Sequence, residues 1–303
     1  MSFDGFVEGM KEEVTRRLED GYQVTVRKVD KNNGGALTGL CIGGKEAPVS
    51  AAVYLEGFYE RYLQGGEGSG MAALADEVMK MYEGQKQAEQ ALYAKVGEFS
   101  NYQKVKGRIM LKLINTKENE DLLCGIPGVT FLDLTAVFYI WVDEDETGIM
   151  TALVHNEHME MWGVDVDTLY GTAKENMRTG VPAHVRSIWG TLASMVGEDS
   201  VADSVGPCPF YVLTTENGVY GAAALLYTDQ IEKMAEENER DIIILPSSVH
   251  ELLLLVDDGS YDYHELSLMV RGINESVVER EDRLSSCVYL YSWLNKQTVI
   301  IGW

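Results

Sequence analysis

Short runs of alternating apolar and polar residues, each stopped by a turn and followed by helical spacing, constrain this chain more than any other feature. Tyr22, Val24 and Val26 alternate with Gln23, Thr25 and Arg27, the period of a strand with one buried face. Asn32-Asn33-Gly34-Gly35 is a turn signal and residues 37–42 are the return, so 22–42 reads as a hairpin. Ahead of it Phe3, Phe6, Val7, Met10, Val14 and Leu18 recur at helical spacing until Gly21.

The same alternation of modes continues. A strand is expected over 49–54 after Pro48, then a helix over 57–63, a glycine-rich connector over 65–70 and a long helix over 71–96. A strand over 108–114 and a short helix over 117–123 lead to Gly125-Ile126-Pro127-Gly128, a break that divides the chain into regions 1–125 and 126–303. Those regions can also run as one continuous domain. Beyond the break, strands are expected over 132–142 and 149–155 around an acidic turn at 143–148. Helices follow over 157–162, 167–177 and 184–196, and a hairpin pairs 210–214 with 220–227 around Asn217-Gly218. A helix over 229–236, strands over 241–245 and 250–256, a helix over 263–278 and a closing hairpin of 288–294 with 298–301 complete the reading.

Hairpins outnumber strand–helix–strand crossovers, so the fold class is α+β, antiparallel hairpins with helices packed on them. Repetition of one strand–strand–helix unit is a further expectation. Ala152-Leu153-Val154-His155-Asn156-Glu157-His158-Met159-Glu160 aligns without gaps to residues 224–232, with Asn156 and Thr228 at helix N-cap positions. Residues 52–60 give a fainter third copy, with Glu56 at the cap position.

Composition narrows the function classes. The chain has 303 residues, with 25 basic and 48 acidic side chains, so 25 − 48 = −23. Such a surface repels nucleic-acid backbones and anionic membranes and suits a protein partner with a basic surface. Solubility alone also accounts for it. No apolar run approaches the ~20 residues of a spanning helix, and the acidic start Asp4, Glu8, Glu12, Glu13 is unlike a secretion signal. Cys41, Cys124, Cys208 and Cys287 are widely spaced, which fits a reduced, cytoplasmic protein. Neither a cofactor nor a resident metal is expected, and the oligomeric state is left open.

Four segments carry residue types that do chemistry. Gly39-Leu40-Cys41-Ile42-Gly43-Gly44-Lys45-Glu46 has the outline of a phosphate loop, yet Glu46 stands where magnesium needs a hydroxyl and no helix follows. His155, Glu157, His158 and Glu160 have metal-ligand types without a completing ligand pair. Trp162-Gly163-Val164-Asp165-Val166-Asp167 reads as the end of one helix and the cap of the next. The fourth, Pro246-Ser247-Ser248-Val249-His250-Glu251, places two hydroxyls, an imidazole and a carboxylate within five positions. Nucleophilic catalysis needs those types: a hydroxyl, a base to take its proton and an acid to orient the base. Ser247, Ser248, His250 and Glu251 are therefore the candidate catalytic or ligand-binding residues. The structural alternative is that the serines satisfy loop backbone groups and His250 packs at a strand start.

The segments Asn156-Glu157-His158 with Trp162-Gly163-Val164, Gly221-Ala222-Ala223-Ala224-Leu225-Leu226, and Ile244-Leu245-Pro246-Ser247-Ser248-Val249-His250-Glu251 resemble an uncharacterised family. So do Met269-Val270-Arg271 with Asn274, and Leu284-Ser285 with Val288-Tyr289 and Tyr291. The family is a domain of unknown function from gut clostridia, often found among genes of mobile elements. The resemblance implies a cytoplasmic bacterial protein and supplies no activity. Two functions stand side by side: an acidic interaction protein, a mobile-element accessory or nucleic-acid mimic, and a hydrolase or small-ligand binder using the Pro246–Glu251 loop. Whether the chain is an enzyme is left open.

Overall fold

A computed structural model describes residues 1–44, 51–66, 68–145, 148–188, 208–227, 229–246 and 248–303. The chain divides into two compact units, Met1–Phe99 and Ser100–Trp303. Gly125-Ile126-Pro127-Gly128, the break marked by the sequence, lies inside the second unit as the turn ahead of a strand.

In the first unit α1 (Phe3–Thr15) starts under a Ser2 side-chain cap and buries Phe6, Val7, Met10 and Val14. The strands β1 (Tyr22–Lys31), β2 (Gly35–Gly44) and β3 (Ala51–Tyr54) form one antiparallel sheet in that order. Asn33 turns the first hairpin with φ +60°, a conformation Asn tolerates. Two helices follow, α2 (Glu56–Gln64) and α3 (Met71–Gly97). Leu74, Ala75, Val78 and Tyr82 of α3 join the α1 face and Val24, Leu40, Ile42 and Val53 of the sheet in one core. Each of the Leu, Ile and Val side chains among them stabilises the fold by about 1.5–3 kcal/mol. Arg17 ties the helices at the rim, donating to Asp76 at 2.7 Å and to the Glu13 carboxylate at 2.6 Å.

The second unit holds two antiparallel sheets. Short helix α4 (Tyr102–Val105) precedes β4 (Ile109–Asn115), and α5 (Glu120–Leu123) precedes β5 (Gly128–Phe131), β6 (Leu134–Asp145) and β7 (Gly148–Leu153). The long β6 pairs with β4, β5 and β7. After α6 (Asn156–Trp162) and α7 (Val166–Gly180), the strands β8 (Ala183–Ser187), β9 (Tyr211–Thr215), β10 (Ile242–Leu245), β11 (Leu252–Val256), β12 (Val288–Ser292) and β13 (Gln297–Gly302) build a sheet of order β13-β12-β10-β11-β9-β8. Every residue of β10 is buried, as expected of a central strand covered on both faces. Helix α8 (Gln230–Asn238) packs against β8, β10 and β12, and α9 (Tyr263–Ser276) against β12 and β13. Val270 of α9 meets Ile243, Leu245, Leu255 and Val288 in the sheet's core.

The α+β class holds. Three local expectations are corrected. Residues 184–187, the start of the helix expected over 184–196, lie in strand β8; Ala183–Ser187 pairs with β9 along its whole length. Residues 221–226 form a 3₁₀ turn rather than the return strand of a hairpin, and the neighbours of β9 are β8 and β11. The alignment of 152–160 with 224–232 therefore joins a strand end to a 3₁₀ turn. The fainter copy is the one with matching structure: β2–β3–α2 and β6–β7–α6 are both strand–strand–helix, and their helices begin at the aligned Glu56 and Asn156. Several expectations fall outside the described residues, namely Lys45 and Glu46 of the phosphate-loop outline, the strand start at 49–50, the turn residues Glu146 and Thr147, the helix over 189–196, the cap at Thr228, and Ser247. No helix among the described residues is long and apolar enough to cross a membrane.

Candidate functional site

The loop from Pro246 to Glu251 joins two apolar neighbours, β10 and β11, and is pinned from two sides. The Pro246 carbonyl accepts from Ser285 N–H at 2.7 Å, Val249 N–H donates to the Asp282 carbonyl at 2.8 Å, and the Val249 carbonyl accepts from Ala222 N–H at 3.2 Å. Val249 is fully buried between these clamps. Gly221 makes the approach possible. A Cβ there would run into the Thr214 hydroxyl and the His250 carbonyl, which are themselves joined by a 2.8 Å hydrogen bond.

His250 is the centre of the cluster. Its Nε2 lies 3.2 Å from Asp282 Oδ1, and its Nδ1 accepts from Tyr220 N–H at 3.3 Å. That pairing places the imidazole proton on Nε2, facing the carboxylate. The Tyr220 ring stacks on the imidazole at 5.6 Å with planes 15° apart. Tyr220 adopts φ +50°, costly for an aromatic residue, and the stack, an edge contact from Tyr139 at 5.1 Å and the Lys112 ammonium 4.3 Å over its ring hold it there. Burial pushes the Tyr139 phenol well above its ordinary range.

The candidate set is thus only partly brought together. Ser248 Oγ accepts from the backbone N–H of His250 at 3.1 Å, the local serine turn of the structural alternative. Glu251 is exposed, and the carboxylate at the imidazole is Asp282, 32 residues on in sequence. Both ring nitrogens of His250 are engaged. A general base needs one of them turned to the proton it removes.

The other motifs resolve in the same way. Gly39–Gly44 is strand, within β2. His158 Nδ1 accepts from His155 N–H at 2.9 Å, and its ring stacks on Trp162 at 5.4 Å. Burial, helped by His155, lowers the His158 pKa and keeps the ring neutral. No group of three or more metal-ligand side chains gathers among the described residues. Gly163 ends α6 with φ +65° and the Asp165 side chain caps α7, as the sequence implies.

Sequence reasoning missed two features. Asp133, at the tip of the β5–β6 hairpin, accepts from Ser285 Oγ at 2.6 Å and from the buried Tyr289 hydroxyl. Burial and that carboxylate drive the Tyr289 phenol far above its ordinary range, and burial raises the Cys287 thiol beside it. The thiol is therefore held protonated and is a poor nucleophile. The second feature is a cleft of about 350 Å³ lined by Met110, Trp141, Glu144, Gly180, Val181, Glu216 and Asn217. Two exposed carboxylates beside an indole and an apolar floor suit a cationic group. Neither feature has a local spacing signature, since each gathers residues from distant elements.

Residues 3–293 match a family described as a family of unknown function (DUF5688). The chain belongs to that family. No curated protein and no solved structure matches it. For this DUF5688 member the match spans both units, so the pinned loop and the Asp133 cluster both lie within the family's extent.

Proposed function

We propose that this DUF5688 protein is a binding protein whose acidic surface engages a protein partner with a basic surface. The observation that carries the reading is the imbalance of charge at the surface. Basic side chains such as Arg16, Arg17, Arg61, Lys233 and Lys296 are already paired with the protein's own carboxylates. The net charge of −23 therefore resides in carboxylates left over, Glu144 and Glu216 at the cleft among them. The commitment of both His250 nitrogens supports binding over hydrolysis at the Pro246–Glu251 loop. The resemblance to clostridial sequences among mobile-element genes fits a cytoplasmic bacterial accessory that mimics nucleic acid toward its partner.

The test is affinity capture on the tagged full-length protein from host cytosol, eluted with a salt gradient. A stoichiometric basic protein released at moderate salt is expected, because contacts between exposed charges weaken as the screening length shrinks below ~10 Å. An empty column at low salt, or a partner retained regardless of salt, overturns the reading.

A further inference from the structure

Helix α9 carries two apolar faces, and only one of them is covered. Leu266 and Val270 turn to the sheet core, with Ser267 and Asn274 buried beside them. On another side Glu265, Leu268, Met269, Gly272, Ile273 and Ser276 recur at i, i+3, i+4, i+7, i+8 and i+11, which aligns them in one stripe along the helix. All six are exposed, Leu268 by 50%, Met269 by 37% and Ile273 by 36%. Gly272, at the middle, has no atom within 4 Å of where a Cβ would stand. A stripe of large side chains around a small central residue is the form of a helix-docking face.

Its charges select the occupant. Asp262 and Glu265 stand at the N-terminal end, Glu275 beside the stripe, and Glu279 beyond the C-terminal end, all exposed, against two exposed cations, Arg271 on the helix and Arg280 after Glu279. A second copy docked antiparallel about Gly272 would set Glu265 against Glu279 and Met269 against Glu275. A parallel copy would set Glu265 against itself. Like charges so placed oppose pairing, and the net charge of −23 adds to the repulsion. A basic amphipathic helix meets both demands, apolar residues on the stripe and lysines or arginines on its rim.

We propose that the outer face of α9 is the docking site for a basic amphipathic helix of a partner protein. This rests on the reading of the protein as an acidic binding partner and places that contact on one surface.

The experiment titrates the full-length protein, by fluorescence anisotropy, with two 21-residue peptides of identical leucine and lysine content. One has helical spacing of its leucines and the other strict alternation. The wild type should bind the helical-period peptide at least tenfold more tightly. The double variant Met269→Ser/Ile273→Ser should lose that preference while melting within about 2 °C of the wild type, as exposed positions do. Equal binding of the helical-period peptide by wild type and variant overturns the α9 site. If both still bind in a salt-dependent way, the acidic-partner reading stands without it, whereas no binding of either peptide at low salt removes both. A wild-type dimer in sedimentation that the variant dissociates makes the occupant a second copy and overturns the proposal. So does a variant that melts many degrees lower, since the face would then be covered by the chain itself.

Discussion

Gly221→Ala is the substitution whose cost the structure specifies most closely. The added Cβ would stand 2.8 Å from the Thr215 amide nitrogen and collide with the Thr214 hydroxyl and the His250 carbonyl. Two of those three are backbone atoms, so no rotamer change relieves the contact. Overpacking of this kind costs about 1–3 kcal/mol, and driving Thr214 Oγ1 from the His250 carbonyl forfeits about 1 kcal/mol more. The total is about 2–4 kcal/mol. At ~2–4 °C per kcal/mol for a domain of this size, the melting point should fall by roughly 4–16 °C. All 5 tryptophans lie beyond residue 140, inside the second unit. Tryptophan fluorescence therefore follows the unit that carries Gly221 and is blind to Met1–Phe99. A fluorescence melting point within 1 °C of the wild type would refute the claim that the loop, the 3₁₀ turn and β9 converge on this glycine.

Three further substitutions test the surrounding account. His250→Ala removes the contact to Asp282, the acceptor for Tyr220 N–H and the ring stack, and should cost about 1–3 kcal/mol in denaturant unfolding; a neutral result would mean these contacts contribute nothing net. Tyr289→Phe should cost about 1–3 kcal/mol at neutral pH by leaving Asp133 with a single hydroxyl donor. Because the folded phenol is raised by burial and by Asp133, its stabilising effect is complete below the unfolded value near ~10 and is lost as pH rises above it. The variant's stability should therefore decline less steeply above about pH 10, and parallel pH profiles for variant and wild type would contradict this. Phe138→Ala empties a fully buried position on β6 and should cost about 3–5 kcal/mol, read from the urea midpoint; a loss under about 1 kcal/mol would place Phe138 outside the core.

Much of the fold was legible because local signals agree with tertiary demands. The hairpin of β1 and β2 follows from strict alternation around Asn33 and Gly34, and β10 from four buried aliphatic residues in a row. The errors arose where the deciding force was not local. The run Gly221-Ala222-Ala223-Ala224 reads as strand because it is apolar, but it forms a 3₁₀ turn, and the missing Cβ of Gly221 lets the His250 carbonyl and Thr214 approach. Strand β8 overlaps the start of the helix expected over 184–196, and what decides its form is pairing with β9, which is not a local signal. The β5–β6 turn was missed because Leu132 takes φ +57° without the Gly or Asn that announces such a position. At the candidate site the carboxylate beside the His250 ring is one that sequence adjacency does not point to. Adjacency in sequence favoured Glu251, while Asp282 arrives through the segment that pins Val249.

The latch between Asp133 and Tyr289 also sets an order of events. Its two residues are 156 positions apart. On a ribosome adding ~5–20 residues per second, the carboxylate waits roughly 10–30 s for its phenol to be made. Over that interval β6 and β4 can pair, but β10 has no β12 beside it and one edge of the six-stranded sheet stays open. Closure of this unit is thus a late event that waits for β12 and β13. The nascent protein is most exposed to misassembly just before β12 appears, and a lesion in β12 acts on the yield of folding before it acts on anything the finished molecule binds.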